Sequence, residues 1–277
     1  MASDSQDAWV VVEQRAAVRT LTLNRPQALN SFTGAMHAQL AAALDDAAAD
    51  ASVRCLVLTG AGRGFCAGQD LSDPAVAPDL SEGGRMPDIS VVIDTLYRPL
   101  LNRIRRMPVP VIAAVNGTAA GAGASIALSC DLVVATRAAS FIQAFAKIGL
   151  VPDAGGTWVL PRLVGRARAL GLAMLGDKLS ATEAERIGLI WQCVDDAVFA
   201  ETVQALAERL AAMPVAALVA TRQAMDAAQH LGFDEAMAAE GQLQSRLGLA
   251  ADYREGVAAF YAKRVPAFSD RDLPSRP

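Results

Sequence analysis

The sequence predicts an α/β fold. Through the first two-thirds of the chain, short apolar runs alternate with segments of helical periodicity, and several of the runs end in glycine-rich turns. After about Asp196 no strand pattern returns, and amphipathic helices follow one another. A succession of strand, turn and helix is typical of domains whose helices cover a sheet and whose functional loops lie at the strand ends.

The individual elements follow from the positions of the apolar residues. Two apolar runs on either side of a turn near residues 14–16 predict a β-hairpin, and Met36, Leu40 and Leu44 mark one face of a helix. A polar insertion at 72–88 separates the early elements from the later ones. We predict strands at 9–12 and 18–23, a helix at 34–49, a strand at 55–58, a helix at 91–106, a strand at 109–115, a helix at 121–129 and a strand at 132–135.

After residue 195 the sequence predicts helices alone. Val203, Leu206 and Leu210 mark the apolar face of the first helix, and Pro214 can begin the second. The chain therefore divides into a core at 1–195 and a helical region at 196–277, whose apolar faces must pack on the core or on a neighbouring subunit. The predicted helices cover about 199–210, 214–230, 234–247 and 252–264, and residues 269–277 are expected to be frayed.

The composition excludes several functional classes. Of the 277 residues, 53% are hydrophobic, the formal net charge is −4, and no Lys/Arg block is longer than Arg105 and Arg106, which disfavours a nucleic-acid surface. Two histidines and four widely spaced cysteines suggest neither a metal site nor a disulfide framework. The polar N-terminus has no signal-peptide character, and no apolar run reaches the ~20 residues that span a bilayer. We expect a cytoplasmic protein that binds neither nucleic acid nor membrane.

Asp153 is the most informative candidate residue. It lies between Pro152 and the pair Gly155 and Gly156, so the carboxylate is expected on a short, braced loop of the kind that often carries catalytic groups. Its sequence neighbours are apolar, and apolar surroundings disfavour the charged form of a carboxylate and make it a better proton acceptor. The alternative is that Asp153 only caps the helix that begins near Gly156.

Two glycine-rich turns precede the Asp153 loop, one at 65–70 and the other at 116–123, where a helix begins. Glycines let a ligand approach the backbone, successive amides can point at one anion, and a helix N-terminus adds its dipole. Close packing of strand and helix is an equally good reason for such glycines, and the second turn does not match a dinucleotide-binding motif because residue 126 is isoleucine. Two amide-rich turns and one carboxylate together can stabilise an oxyanion while a proton moves.

These segments occur in an order that resembles the enoyl-CoA hydratase/isomerase (crotonase) superfamily across residues 21–268. The resemblance implies a spiral of ββα turns with a C-terminal helical region that mediates trimer formation, usually as a dimer of trimers. It also implies an acyl-coenzyme A thioester as the substrate, with no cofactor besides that coenzyme A. The matching segments are 23–26, 28–30, 64–70, 113–117, 129–131, 149–152, 155–157, 160–162 and 254–257, with Phe260, Lys263 and Arg264 at the end.

The resemblance also assigns roles position by position. The backbone N–H groups of Ala67 and Ala122 occupy the positions that form the family's oxyanion hole around the thioester carbonyl. Arg25 and Ala28 are where the family contacts the CoA nucleotide, and Lys263 is where the tail of a neighbouring subunit reaches it. The remaining substrate-binding positions of the motifs are Gly68, Gln69, Asp70, Gly121 and Phe145.

Two departures from the family pattern concern the reaction. Hydratases of the family use two glutamates to place and activate water, and the corresponding residues here are Ser125 and Phe145. Asp153 matches the position at which the family's double-bond isomerases carry their acid. The resemblance therefore implies isomerisation, in which one carboxylate takes a proton from one carbon and returns it to another.

Within the superfamily the resemblance is strongest to isomerases of bacterial phenylacetate degradation, which open a ring epoxide to a seven-membered oxepin. Phe141 and Phe145 are candidates for the wall of a ring pocket, with a plain core role as the alternative. A fatty acyl Δ3,Δ2-enoyl-CoA isomerase is the first alternative function, and a hydratase is less favoured. An inactive CoA-binding or RNA-binding scaffold is a further alternative, against which the acidic charge and the intact Asp153 argue.

Overall fold

A computed structural model of the chain describes residues 8–272, and two β-sheets organise this part. In chain order the strands are β1 (Val10–Arg15), β2 (Val18–Leu23), β3 (Cys55–Gly60), β4 (Gly64–Cys66), β5 (Val111–Val115), β6 (Thr118–Ala120), β7 (Leu132–Thr136), β8 (Ser140–Ile142), β9 (Lys178–Ser180) and β10 (Gln192–Val194). The first sheet has six strands in the order β1-β2-β3-β5-β7-β10, and the second has four in the order β4-β6-β8-β9. Neighbouring strands are parallel except in the pairs β1–β2 and β8–β9.

Helices connect and cover the sheets. They are α1 (Gly34–Ala49), α2 (Ile89–Val92), α3 (Arg98–Arg105), α4 (Ala122–Leu128), α5 (Gly156–Leu175), α6 (Ala181–Arg186), α7 (Phe199–Ala211), α8 (Val215–Ala228), α9 (Phe233–Leu247) and α10 (Ala251–Ala262). A π-helical turn, Ile93–Tyr97, joins α2 to α3. Short 3₁₀ turns include Pro26–Ala28 and Ala144–Ile148.

The chain visits the two sheets alternately, and this alternation assembles the site. β3, β5 and β7 belong to the larger sheet, and the strand that follows each of them, β4, β6 or β8, belongs to the smaller one. Because β4, β6 and β8 are adjacent and parallel, the segments that leave their C-terminal ends lie side by side. Those segments begin at Ala67, Gly121 and Gln143.

The predicted α/β fold is confirmed, and most of the longer elements lie where apolar periodicity predicts them, although only the start of α5 near Gly156 was expected. Helix α1 covers the predicted residues and buries Met36, Leu40 and Leu44, and the described chain has no strand after residue 196. The apolar pattern does not predict β4, β6, β8, β9 and β10, because a run of three residues is too short to show an alternating pattern.

The helices after residue 195 differ in how they pack. Val203, Ala207 and Ala211 of α7 are buried in one cluster with Val57 and Ile112 of the larger sheet, so α7 covers that sheet. By contrast, α9 buries none of its residues. Among residues 8–272 no single helix is long and apolar enough to cross a membrane; Asp196–Ala211 and Val215–Ala228 pass such a test only as a pair, which is bent by 99°.

The expectation of a frayed C-terminus is wrong for its first residues. Asp252 Oδ1 accepts hydrogen bonds from the Ser269 N–H at 2.7 Å and the Asp270 N–H at 3.2 Å. Arg271 then donates to the carbonyls of Ala47 and Ala48 at the end of α1, at 3.0 and 2.7 Å. These tertiary hydrogen bonds hold residues 269–271 in place, and residues 273–277 lie outside the described part of the chain.

Candidate active site

The segments that follow β4 and β6 are in direct contact. Gly68 has a φ of +94°, and a Cβ there would lie 3.0 Å from the Ala120 carbonyl oxygen and 3.4 Å from the Ala122 nitrogen. A Cβ on Gly123 would lie 2.3 Å from the Cys66 carbonyl oxygen. Glycine is therefore required at both positions, since any side chain would push the N-terminus of α4 away from the 67–70 segment.

Ala122 presents a backbone N–H at this contact. Gly121, with φ at 52°, precedes α4, and Ala122 is the first helical residue. The N–H groups of the first helical turn have no acceptor within the helix, and they lie at the positive end of the helix dipole. Ala122 thus has an amide free of helical bonding beside Gly68, and its role as an oxyanion donor stays a prediction.

The structure corrects the other predicted oxyanion donor. The Ala67 N–H is already bonded to the Leu29 carbonyl oxygen at 2.9 Å, so it is not free for a ligand. Phe32 donates to the Gly68 carbonyl and accepts from the Asp70 N–H, as in a parallel bridge to Gln69. In such a bridge the N–H of the intervening residue points away from the partner, and none of the hydrogen bonds in the described chain uses the Gln69 N–H.

One oxygen of the Asp153 carboxyl group, Oδ1, is shielded from solvent and has no hydrogen-bond partner within residues 8–272. Burial raises its pKa to about 6, with only its own backbone N–H acting in the opposite direction. The capping alternative is not supported, because α5 begins after Gly155 without any side-chain cap. The raised pKa lets the carboxyl group gain and lose a proton near neutral pH, and its Oδ1 has no structural partner that would prevent it from accepting one.

The backbone around Asp153 is tightly constrained. Its carbonyl oxygen accepts hydrogen bonds from the Gly156 N–H at 2.8 Å and from Ser125 Oγ at 3.0 Å. Ala154 follows with a φ of 47°, a left-handed conformation that is uncommon outside glycine. Strained backbone of this kind persists where the surrounding structure enforces it, and it is concentrated at functional sites.

The two positions that correspond to the hydratase glutamates are buried and carry no carboxylate. Ser125 is fully buried and uses its hydroxyl to hold the Asp153 loop, a role that the sequence did not indicate. Phe145 is also buried, and its ring would lie 3.7 Å from a Cβ built on Gly121. Phe145 therefore contributes an apolar wall next to the turn that presents Ala122, and Phe141 is buried as well.

The predicted CoA-contacting residues are only partly brought together. Arg25 pairs with Asp70 at 3.0 Å, and hydrogen bonds from Ser72 together with that guanidinium lower the pKa of Asp70. Ala28 lies in the 3₁₀ turn that begins directly after Arg25. Lys263 is exposed at the end of α10, and no hydrogen bond or ion pair found in residues 8–272 joins its side chain to the other predicted residues. In the described part of the chain, no three His, Cys, Asp or Glu residues are placed to hold a metal ion.

Fold and site together define a class of protein. The enoyl-CoA hydratase/isomerase family pattern matches residues 13–271, and the chain belongs to that family. A crystal structure of enoyl-CoA hydratase from Bacillus anthracis superposes with a TM-score of 0.86 at 30% identity, covering 94% of this chain and 99% of that one. The fold is thus the crotonase fold that the sequence motifs implied.

Two named relatives are similar to this chain over most of its length. The chain is 53% identical over 263 residues to the 1,2-epoxyphenylacetyl-CoA isomerase of Escherichia coli K12, covering 95% of this chain and 99% of that protein. It is 48% identical over 251 residues to a protein of Rhodobacter capsulatus named as a probable enoyl-CoA hydratase, covering 91% and 94%. Both isomerase and hydratase names therefore occur among similar proteins, and the residues of the site have to distinguish them.

Proposed function

We propose that this protein is an acyl-CoA isomerase in which Asp153 moves the proton. The observation that carries the proposal is the buried Asp153 Oδ1, which has no partner in the described chain and belongs to a group whose pKa is raised to about 6. Ser125 and Phe145 provide no second acid for the activation of water. One carboxylate without a second suits proton transfer within the substrate better than water addition.

The mechanism follows from the positions of the donors. The thioester carbonyl accepts hydrogen bonds from the N–H groups of Ala122 and Gln69. Gln69 takes the place that the sequence motif assigned to Ala67. Ionised Asp153 removes a proton from the carbon next to that carbonyl, and the electron pair moves onto the carbonyl oxygen as an enolate. Each well-placed donor stabilises such an oxyanion by ~3–4 kcal/mol. The protonated Asp153 then returns the proton to another carbon, so the reaction needs no cofactor besides the coenzyme A of the substrate.

For the substrate we propose 1,2-epoxyphenylacetyl-CoA, with oxepin-CoA as the product. In this substrate the ring carbon–carbon bond that the epoxide oxygen bridges breaks as the ring electrons rearrange, and the ring expands to the seven-membered oxepin. Asp153 then moves a proton from the carbon next to the thioester carbonyl to a carbon of the new ring. The 53% identity to the Escherichia coli isomerase of that name supports this choice, as does the apolar wall formed by Phe145 next to Gly121. Shifting of enoyl-CoA double bonds, as in a Δ3,Δ2-enoyl-CoA isomerase, uses the same Asp153 and is the second candidate.

The deciding experiment compares three substrates in parallel: the phenylacetyl-CoA epoxide, a 3-enoyl-CoA and the 2-enoyl crotonyl-CoA. We expect the epoxide to be turned over fastest and crotonyl-CoA to be hydrated weakly or not at all. Faster turnover of the 3-enoyl-CoA would assign the fatty acyl function instead. Hydration of crotonyl-CoA at the rate of any isomerisation would refute the isomerase assignment.

We also propose that the protein forms a homo-oligomer, a trimer or a dimer of trimers. Phe233 of α9 and Phe260 and Tyr261 of α10 are each about 80% exposed, and large apolar side chains in that number favour a covered surface. Sedimentation at micromolar concentration tests this, and a stable monomer would contradict it. The CoA contacts of Arg25, Ala28 and Lys263 and the cytoplasmic location remain predictions.

A further inference from the structure

The side chain of Gln69 is anchored beneath the candidate active site. The Tyr97 hydroxyl donates a hydrogen bond to Gln69 Oε1 at 2.9 Å, although the two residues are 28 positions apart in the chain. Tyr97 is only 1% exposed and is the last residue of the π-helical turn Ile93–Tyr97. π-helical turns within helices are frequent at functional sites, because they displace one side chain from the ordinary helical position.

The environment of Tyr97 keeps its hydroxyl a neutral donor. Burial raises its pKa well above the ordinary value, and nearby Cys66, Asp153 and Asp73 act in the same direction. The ring of His37 meets the Tyr97 ring edge-on, with centroids 4.5 Å apart, and burial lowers the pKa of His37 to about 4. Both rings are thus uncharged near neutral pH and pack as one rigid support under Gln69.

The anchor acts on the residue whose backbone N–H we propose as the second oxyanion donor. Within residues 8–272 the Gln69 N–H makes no hydrogen bond, and the Gln69 side chain accepts the bond from Tyr97. Phe32 holds the residues on both sides through Gly68 and Asp70. An oxyanion donor is effective only when it points at the place where charge develops. Phe32 bonds to the neighbours of Gln69 but to no atom of Gln69 itself, so the Tyr97 contact adds a restraint on this residue from its side chain.

We propose that Tyr97 is a positioning residue for the reaction: by holding the Gln69 carboxamide, it aims the Gln69 N–H at the thioester carbonyl. Tyr97 does not touch the reacting atoms and acts through Gln69. This inference rests on the proposed function, since it assumes that a thioester carbonyl binds between Gln69 and Ala122.

The test variant is Tyr97→Phe, which removes the hydroxyl and keeps the ring against His37. We expect kcat to fall about 10-fold with KM changed less than about 2-fold, a smaller loss than the ~10²–10³-fold that follows removal of a whole donor. The direct readout is the infrared carbonyl stretch of bound phenylacetyl-CoA labelled with ¹³C at the thioester carbon. Polarisation lowers this frequency in the native protein, and the lowering should be smaller in Tyr97→Phe.

A matched control separates positioning from stability. Thr59→Val also removes a hydroxyl hydrogen bond, the 2.8 Å contact of Thr59 with the Ala114 carbonyl, but it does not touch Gln69. It should leave the carbonyl frequency at the native value. Gln69→Met keeps the backbone N–H, loses the anchor and should reproduce the effect of Tyr97→Phe. The double variant should lose no more kcat than either single variant, because both remove the same contact.

The outcomes are distinguishable. A native carbonyl frequency in folded Tyr97→Phe, or losses that multiply in the double variant, would overturn the positioning role alone. Absence of any frequency change when the native protein binds the thioester would instead overturn the proposed oxyanion hole. If Tyr97→Phe does not fold, Gln69→Met decides: a native frequency there overturns the inference and a smaller lowering supports it.

Discussion

Asp153 and Asp252 are two interior aspartates with opposite surroundings. Asp252 is 5% exposed, and its Oδ1 accepts the N–H groups of Ser269 and Asp270, which ties the end of the chain to α10. Asp153 Oδ1 is equally shielded, yet no group in residues 8–272 donates to it. Asp252 Oδ2 is also buried without a partner in this part of the chain, so the difference lies in the two N–H groups that Asp252 Oδ1 accepts. Leaving a buried acceptor unsatisfied costs about 1–3 kcal/mol, and at Asp252 the two hydrogen bonds to the other oxygen offset that cost. The comparison gives Asp252 a structural role and supports the proton transfer that we propose for Asp153.

The largest expected effect is that of Asp153→Asn on turnover. The substitution keeps the size of the side chain and removes its basic oxygen, so turnover should fall by about 10²–10⁴-fold. Acyl-CoA binding should remain within a few-fold of native, because the N–H groups of Ala122 and Gln69 are not changed. Steady-state kinetics and calorimetric titration with a saturated acyl-CoA measure the two quantities. Near-native turnover would show that another group is the base and would contradict the contrast between Asp153 and Asp252.

The pH dependence of kcat/KM should follow the ionisation of Asp153. The group has to be ionised to accept a proton, and its pKa is raised to about 6. Below that value kcat/KM should fall about 10-fold per pH unit, and above it the profile should level off. A profile that is flat between about pH 5 and about pH 8 would show that a different group limits the reaction.

Asp153→Asn should also make the protein more stable. Because the folded-state pKa of Asp153 lies above the ordinary value of 3.8, protonation of Asp153 favours the folded protein below about pH 4, and this advantage is lost as the pH rises through about 6. A shift from 3.8 to about 6 corresponds to about 3 kcal/mol at most. Urea unfolding at about pH 8 should therefore find Asp153→Asn more stable than native, with the difference shrinking in acid. A loss of stability at high pH would indicate a structural role.

Asp252→Ala should show the reverse behaviour. It leaves the N–H groups of Ser269 and Asp270 without their acceptor, so the free energy of unfolding should fall by about 1–3 kcal/mol. Activity per folded molecule should stay near native. Asp252→Asn retains Oδ1 and serves as the control, which should recover most of the stability. A selective rate defect in Asp252→Ala would remove the contrast with Asp153.

The smallest expected effect is that of Ser125→Ala. It removes one of the two hydrogen bonds to the Asp153 carbonyl and leaves the one from Gly156 in place. We expect kcat to fall about 3- to 10-fold with KM unchanged, consistent with the ~1 kcal/mol of one such hydrogen bond. An unchanged kcat would mean that Gly156 alone holds the loop.

Local pattern accounts for much of what the sequence predicted. The stripe of Met36, Leu40 and Leu44 identifies α1, and Pro152 with Gly155 and Gly156 identifies a braced loop around Asp153. Such features depend on residues that are only three or four positions apart, so they are visible in the sequence itself. The strands β4, β6 and β8 escaped because three residues carry too little pattern, although their pairing is what brings the segments of the site together.

By itself the sequence determined the family, the α/β class and the absence of the two hydratase glutamates at Ser125 and Phe145, and it predicted Asp153 as the acid that moves the proton. Tertiary structure alone decided which amides are free. The Ala67 N–H is taken by the carbonyl of Leu29, 38 positions earlier, while the Gln69 N–H two residues further on has no acceptor in the described chain. A motif specifies residue types, but hydrogen-bond partners distant in the chain determine whether each backbone group still has a bond to offer.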